Sequence, residues 1–169
     1  GTGIGAPMRR VEDARFLRGL GRYVDDMPTA RVTHMVLVRS PHPHARILRI
    51  DSVAARALPG VLAVLTAADI AELGVLRCMT PRHRRDGQPI TQTPWRMLAA
   101  DTVRYVGDPV ACVVAETHAQ ALDAAEAIDI DYQPLAAVTD SAAALAPQAP
   151  QLWPGLIPGN ESFVFRAGD

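Results

Sequence analysis

The sequence contains no lysine, because all 17 of its basic residues are arginines. This absence excludes a lysine Schiff base and the lysine of a phosphate-binding P-loop. The arginines are almost balanced by 18 acidic residues, which leaves a formal net charge of −1. A charge so close to neutral argues against a nucleic-acid interface and against attraction to an anionic membrane surface. We therefore expect no nucleic acid and no membrane among the partners.

Aromatic residues and cysteines are also scarce. Only 5% of the residues are aromatic, so a core must be built from small and branched side chains such as Ala and Val. The two cysteines, Cys78 and Cys112, match neither a disulfide framework nor a zinc site, which fits a reducing compartment. No apolar run is long enough to cross a bilayer, and the start GTGIGAPMRRVED lacks the apolar segment of a signal peptide. We expect a cytoplasmic location.

Apolar runs predict about six strands. Residues 34–40 (HMVLVRS) and 44–51 (HARILRID) flank the turn PHPH and predict an antiparallel hairpin. The run VRYVGDPVACVVAET, residues 103–117, predicts a strand, a corner at Gly107-Asp108-Pro109, and a central strand that is apolar on both faces. Further strands are predicted at residues 61–65 and 128–132.

Helix-start signals alternate with these strands. Thr117 with Gln120 predicts a capping box for the helix HAQALDAAEAI, and Thr66 with Asp69 predicts a similar start for the helix AADIAEL. Short helices are also predicted at residues 9–17, 52–58 and 141–146. Interleaved elements with an early hairpin predict an α+β fold with a mixed sheet rather than a doubly wound parallel sheet.

Two proline-rich segments lack any periodicity. Residues 74–100 predict a long loop, and loops of this length inside compact domains are usually functional or mobile. Residues 147–169 form a tail that cannot build a core alone. We expect this tail either to drape over the domain or to lead into another one.

The groups that could carry chemistry have plainer structural interpretations. His42 and His44, with His34 nearby across the predicted hairpin, offer imidazoles to a metal, but no further ligand sits at a suitable spacing. We favour turn residues whose ring N–H groups bond to nearby carbonyls. GTGIG at residues 1–5 does not match the dinucleotide fingerprint. Asp25-Asp26 is a poor acid–base pair because adjacent side chains on an extended segment point apart.

Six stretches in a fixed order over about residues 8–140 carry a joint resemblance to one family. They are VEDARFL (11–17), GRYVDD (21–26), VRSPHPHARI (38–47), LPGV (58–61), VRYVGDPVA (103–111) and DY with the following Leu135 and Ala137-Val138 (131–138). Together they resemble the start of the molybdenum-binding large subunit of the xanthine dehydrogenase/aldehyde oxidase family. The bacterial carbon monoxide dehydrogenase-like branch is the most similar.

The resemblance implies the N-terminal α/β-hammerhead domain of that subunit. In the family, the large subunit binds molybdopterin, often as the cytosine dinucleotide, and hydroxylates an aldehyde, N-heterocycle or similar substrate with oxygen from water. Electrons leave through two [2Fe-2S] clusters on a small subunit and FAD on a medium subunit. The implied partners are therefore the molybdopterin-binding domains, the iron-sulfur small subunit and the FAD medium subunit.

One departure limits what the resemblance implies for individual residues. The family's pterin-binding glycine loops and catalytic glutamate belong to later domains, and this sequence ends at Asp169. We therefore assign no catalytic, cofactor-binding or metal-ligating residue here, and expect the chain alone to be inactive. It would be either an excised fragment or the separately encoded first part of a split large subunit.

The leading hypothesis is a non-catalytic structural domain of a molybdenum hydroxylase. It divides the chain into an arm (1–26), the hammerhead domain (27–146) and a tail leading toward the molybdopterin-binding domains (147–169). The domain would pack on the cofactor domains and help to shape the substrate channel. Its loop 74–98 would supply the channel residues, with an apolar wall and a basic rim. These residues are Trp95, Met97 and Leu98 for the wall, and Arg82 and Arg85 for the rim.

Other interpretations stay open. The basic run at residues 82–85 is more simply a solvated surface. A second hypothesis is a stand-alone interaction module that docks partner subunits through the arm. A small independent enzyme is a third, but it needs a cluster of titratable groups that the sequence does not reveal.

Overall fold

The computed structural model describes residues 3–5, 9–27, 30–77, 79, 83–84 and 86–164. The chain divides into two compact units, Gly1–Val32 and Thr33–Asp169. The first unit contains α1 (Asp13–Phe16) and a 3-10 turn at Val24–Asp26. The helix predicted at residues 9–17 is therefore a single turn. None of the described residues of this unit is buried.

The second unit has an α+β architecture, as the sequence predicts. Its described residues form six strands and two α-helices: β1 (His34–Arg39), β2 (Ala45–Asp51), α2 (Val53–Arg56), β3 (Val61–Thr66), β4 (Thr102–Val103), β5 (Pro109–Ala115), α3 (His118–Glu126) and β6 (Asp129–Pro134). The strands form two three-stranded sheets, β1–β5–β3 and β4–β2–β6, and every pair is antiparallel. Two antiparallel sheets thus replace the expected single mixed sheet.

Strand β5 is the centre of the first sheet. It pairs with β1 on one side and β3 on the other, so Val113 lies between Val36 and Val64. This row of side chains faces the helices, where it packs with Ala55 of α2 and Ala121 of α3. Alanines on both helices let the backbone approach the sheet closely, which suits a core poor in aromatics. The central, apolar strand predicted after the Gly-Asp-Pro corner is confirmed.

The predicted hairpin between β1 and β2 is wrong. The two strands belong to different sheets, and β2 pairs with β6 instead. Between β2 and β6, Ile47 lies opposite Tyr132 and Ile50 opposite Ile130, and these side chains pack against the core of the domain. The exposed Arg49 guanidinium of β2 also donates to Asp131 at 2.9 Å and to Asp129 at 2.6 Å across the strand pair. Ion pairs this exposed are screened by water and add little stability. The apolar contacts are therefore the larger contribution to the pairing of β2 with β6.

The two capping signals have different outcomes. At α3 the box is complete: the Gln120 N–H donates to Thr117 Oγ1 at 3.3 Å, and the Thr117 N–H donates to Gln120 Oε1 at 3.0 Å. At Thr66, the N–H donates to Asp69 Oδ2 at 2.7 Å, but only a 3-10 turn at Ala71–Leu73 follows. The predicted α-helix is wrong because the second half of the box is missing: the Asp69 N–H donates to the Thr66 carbonyl at 3.1 Å, not to the Thr66 hydroxyl, and closes a local turn. The bonds that the Thr66 N–H and hydroxyl donate to the Asp69 carboxylate lower its pKa.

The helices are short throughout the part of the chain that the structure describes. None of them is both long and apolar enough to span a membrane.

Candidate functional site

The Gly107-Asp108-Pro109 corner joins the end of β1 to the start of β5. Gly107 has a φ of +92°, which glycine adopts without strain. Its N–H donates to the Ser40 carbonyl at 2.8 Å, and the Ser40 N–H donates to the Asp108 carbonyl at 2.9 Å. The Asp108 carboxylate accepts the Arg104 N–H at 2.9 Å. These bonds make the segment a structural corner that fixes the position of Arg104.

Arg104 binds the tail to the domain. Its Nε donates to the Leu152 carbonyl at 3.0 Å, and its Nη1 donates to the Thr102 carbonyl at 3.0 Å. The guanidinium carbon lies 3.7 Å from the centroid of the Trp153 ring, within the range of a cation–π interaction. Partial burial lowers the pKa of Arg104, and the nearby carboxylates of Asp101 and Asp108 oppose that shift.

Asn160 holds the tail in a second place. Its Nδ2 donates to the carbonyls of Ala144 at 3.0 Å and Pro150 at 2.9 Å, while its Oδ1 accepts the Leu152 N–H at 3.0 Å. Ile157 is buried beside it, with 5% of its surface exposed. The described part of the tail therefore lies on the domain, which is the first of the two expectations for this segment.

The loop after Gly74 folds back on itself as an irregular hairpin. The Leu76 N–H donates to the Trp95 carbonyl at 2.8 Å, and the Arg84 N–H donates to the Gln88 carbonyl at 2.6 Å. At its far side, Ser162 Oγ of the tail donates to the Thr91 carbonyl at 3.0 Å. Among the residues of this segment that the structure describes, hydrogen bonds anchor it near its base and, through Ser162, to the tail.

A cavity of about 490 Å³ lies where the corner, the tail and the end of the loop meet. This volume is in the range of small-molecule pockets. Its wall combines aromatic rings with charges of both signs, contributed by Trp95, Arg96, Asp101, Arg104, Tyr105, Asp108 and Trp153. Burial, followed by the negative charge of Asp108, raises the pKa of the Tyr105 hydroxyl.

The structure separates the predicted channel residues. Trp95 lines the cavity and is 66% exposed, whereas Met97 is 36% exposed and Leu98 only 4%. Leu98 thus belongs to the interior of this domain. Arg82 and Arg85, like Cys78, lie outside the described residues.

The sequence analysis does not assign five residues of this site, which are Arg96, Asp101, Arg104, Tyr105 and Trp153. Arg104 and Tyr105 belong to the VRYVGDP motif, which predicts a strand and a corner and carries part of the family resemblance, but no site. Trp153 lies in LWP, where an aromatic residue in a proline-rich tail was the available signal.

The histidines occupy structural positions. His44 Nδ1 lies 2.8 Å from the Ala136 carbonyl oxygen, which can only accept, so this nitrogen carries the proton. The His42 ring packs edge-on against Tyr132, with 5.0 Å between centroids. The described residues contain no group of three side chains arranged to bind a metal ion. For His44, the predicted bond to a backbone carbonyl is confirmed.

The family of aldehyde oxidase and xanthine dehydrogenase a/b hammerhead domains matches residues 18–136, more than half of this 169-residue chain. The chain belongs to this family. The matched range includes both sheets and the Gly-Asp-Pro corner. The predicted resemblance and the hammerhead fold are therefore confirmed.

Individual hammerhead relatives agree with this assignment. The chain is 43% identical over 150 residues to the carbon monoxide dehydrogenase large chain of Afipia carboxidovorans. The aligned region covers 89% of this chain and 17% of that protein. It is 40% identical over 137 residues to the nicotine 6-hydroxylase large subunit of Paenarthrobacter nicotinovorans, covering 81% of this chain and 16% of that protein. The chain thus spans about a sixth of the length of these relatives.

Solved structures of the family have the same fold. Quinoline 2-oxidoreductase from Pseudomonas putida 86 superposes with a TM-score of 0.74 at 42% identity, covering 84% of this chain and 18% of that one. The Cu,Mo-CO dehydrogenase superposes with a TM-score of 0.68 at 40% identity, covering 88% of this chain and 18% of that one.

The cavity does not fit the phosphate-bearing molybdopterin that the family implies. A dinucleotide cofactor needs free cationic or N–H donors for its phosphates. Here the charges of Arg96 and Arg104 are matched by Asp101 and Asp108, and two nitrogens of Arg104 already donate to backbone carbonyls.

Proposed function

We propose that this hammerhead domain is a non-catalytic structural part of a molybdenum hydroxylase large subunit. It packs on the cofactor-binding domains, and its loop 74–98 helps to form the substrate channel. The observation that carries the proposal is that this chain, whose residues 18–136 match the hammerhead family, covers only 17% and 16% of two large-subunit relatives. Most of the machinery of such an enzyme would then belong to other parts of the large subunit.

The cofactors and partners of the assembled enzyme follow from this proposal. Molybdopterin, as the cytosine dinucleotide, would bind other domains of the large subunit and supply the hydroxylation chemistry there. The [2Fe-2S] clusters and FAD would belong to a small and a medium subunit. The balanced charges of the cavity support a role for this domain outside the cofactor site.

Exposed apolar side chains on the loop support the channel assignment. Trp95 is 66% exposed, Leu76 52% and Met79 93%. Large apolar side chains grouped on one segment mark interaction or ligand-binding surfaces more often than free surface. Trp95 and Met97 would form the apolar wall, and Arg82 and Arg85 stay the proposed rim.

Replacing Trp95 with Ala in the assembled enzyme tests this role. We expect the KM for bulky substrates to rise about tenfold, because one aromatic contact is worth about 1–2 kcal/mol. The kcat and the molybdenum content should change little. Leu122→Ala is the matched control, because Leu122 is 43% exposed on α3, a helix that packs on β1 and β5 rather than on the loop. Unchanged KM values and unchanged preference across a substrate series would contradict the proposal.

A second candidate function is favoured by the arm. None of the described residues of the first unit is buried, and Val11, Leu17 and Val24 are 98%, 87% and 81% exposed. Covering these apolar side chains with a partner lowers the free energy, because it removes them from water. The domain would then act as an interaction module that docks a partner subunit through residues 1–26.

Pull-down of purified iron-sulfur and FAD subunits with the chain separates the two candidates. If the arm docks them, deletion of residues 1–26 or the substitution Leu17→Ser abolishes capture. If the arm has no such role, capture is unchanged by either alteration.

A further inference from the structure

The β1–β5–β3 sheet has a second face that no function above uses. Its registers place Met35 beside Val114 and Ala63 in one row, and Leu37 beside Cys112 and Leu65 in the next. All six side chains are apolar or thiol, and none carries a charge. We call these six residues the open face.

The two faces of this sheet differ in how they are covered. The opposite face, with Val36, Val64 and Val113, packs against α2 and α3. On the open face, Met35 is 62% exposed, and the neighbouring Leu62 at the β3 bulge is 55% exposed. Four of the remaining five residues are only partly buried; Cys112, at the centre, is 6% exposed. An uncharged sheet face that retains this exposure is a candidate interface.

The size of the open face limits what can cover it. Three strands about 4.8 Å apart, with same-face residues about 6.8 Å apart, give a patch of roughly 200 Å². A stable interface between free partners buries about 800 Å² on each side. The patch is therefore too small to hold a second copy of the chain alone. It suits an occupant that other contacts or a covalent connection already keep nearby, because that raises its effective concentration.

We propose that the open face docks an apolar, uncharged surface of the remaining part of the same large subunit. This identity of the occupant rests on the proposed function and on the relatives, in which the hammerhead match is 16–18% of a longer protein. Arg39 borders the patch, and its Nη1 donates to the Gly107 carbonyl at 2.9 Å.

The test places a charge on the open face and a matched charge behind it. Met35→Glu is compared with Leu122→Glu, since Leu122 is 43% exposed on α3, at the opposite side of the sheet. In the 169-residue chain, both variants should unfold within about 2 °C of the unmodified chain, because exposed sites tolerate substitution. In the complete large subunit, Met35→Glu should lower the unfolding midpoint by about 5 °C or more, and Leu122→Glu by less than about 2 °C. Met35→Gln should act in the same direction with a smaller shift, and it replaces Met35→Glu if that chain fails to fold.

Two results would overturn this assignment. One is an equal response of the complete subunit to the Met35 and Leu122 variants. The other is a dimer of the 169-residue chain that Met35→Glu dissociates, which would make a second copy the occupant. The molybdenum content of the unmodified complete subunit is measured separately. A subunit without molybdenum that still responds selectively to Met35→Glu would overturn the proposed function and support the docking face.

Discussion

The tail and the loop after Gly74 are alike in sequence but unlike in structure. Both are rich in proline and lack apolar periodicity. The tail is fixed by side chains that bind backbone groups: Asn160 makes three such hydrogen bonds, and Arg104 reaches the tail from the domain. The loop is held mainly by backbone bonds near its base, and its Trp95 is two-thirds exposed.

This difference teaches that low periodicity alone does not mark a functional segment. Side-chain groups that satisfy backbone donors and acceptors make the tail part of the folded unit. The loop instead leaves apolar surface available, which costs free energy unless something covers it. The loop is thus the better candidate for contact with a substrate or partner, and the tail the better candidate for stability.

We expect the largest loss in the free energy of unfolding when the hydrogen bonds of Asn160 in the tail are removed. Asn160→Ala removes three hydrogen bonds and leaves alanine at a φ of +58°. At about 1 kcal/mol per bond, with backbone strain added, we expect a loss of about 3 kcal/mol in the free energy of unfolding. Urea denaturation of the chain measures it. Asn160→Gly removes the same bonds without the strain, so its loss should be about 1 kcal/mol smaller. A loss below about 0.5 kcal/mol for both would show that the tail is not part of the folded unit.

Local signals account for what the sequence predicts well. The Thr117–Gln120 box and the apolar run of β5 are both complete within a few residues. Partner choice between distant segments is not local, which is why the β1–β2 hairpin was wrong. It depends on the fit of β1 to β5 and on the apolar side chains that β2 and β6 pack together.

In the candidate site too, local features could be predicted from the sequence, whereas contacts between distant segments could not. Trp95 could be singled out as a large apolar residue in a long loop. Its neighbours in the cavity could not, because Arg104 meets Leu152 across 48 positions of the sequence. Leu98 is three residues from Trp95, yet its side chain is buried in the domain, and a segment without periodicity gives no signal of that direction.

Replacing Arg104 sharpens the comparison at the point where domain and tail meet. Arg104→Ala removes a hydrogen bond to the tail and the stacking on Trp153, so we expect a loss of about 2 kcal/mol. Arg104→Lys keeps the charge but loses the planar group, and should cost about 1 kcal/mol. With Trp95→Phe in the background, Trp153 is the only tryptophan, and its emission should shift to the red as the tail undocks. An unchanged emission maximum in Arg104→Ala would mean that other contacts alone hold Trp153.

The smallest loss in the free energy of unfolding is expected for a substitution of Trp95. The chain has two tryptophans, one in the loop and one in the tail, so the two segments can be compared through the same substitution. Trp95 is 66% exposed, so Trp95→Ala should change the free energy of unfolding by no more than about 0.5 kcal/mol. Trp153→Ala should cost about 2 kcal/mol, because it removes the ring on which Arg104 stacks. Paired urea denaturation curves of the two variants measure this. A loss at Trp95 equal to that at Trp153 would make the loop a structural element like the tail. A small loss leaves Trp95 dispensable for folding, and an effect of the same substitution on KM would then belong to the channel.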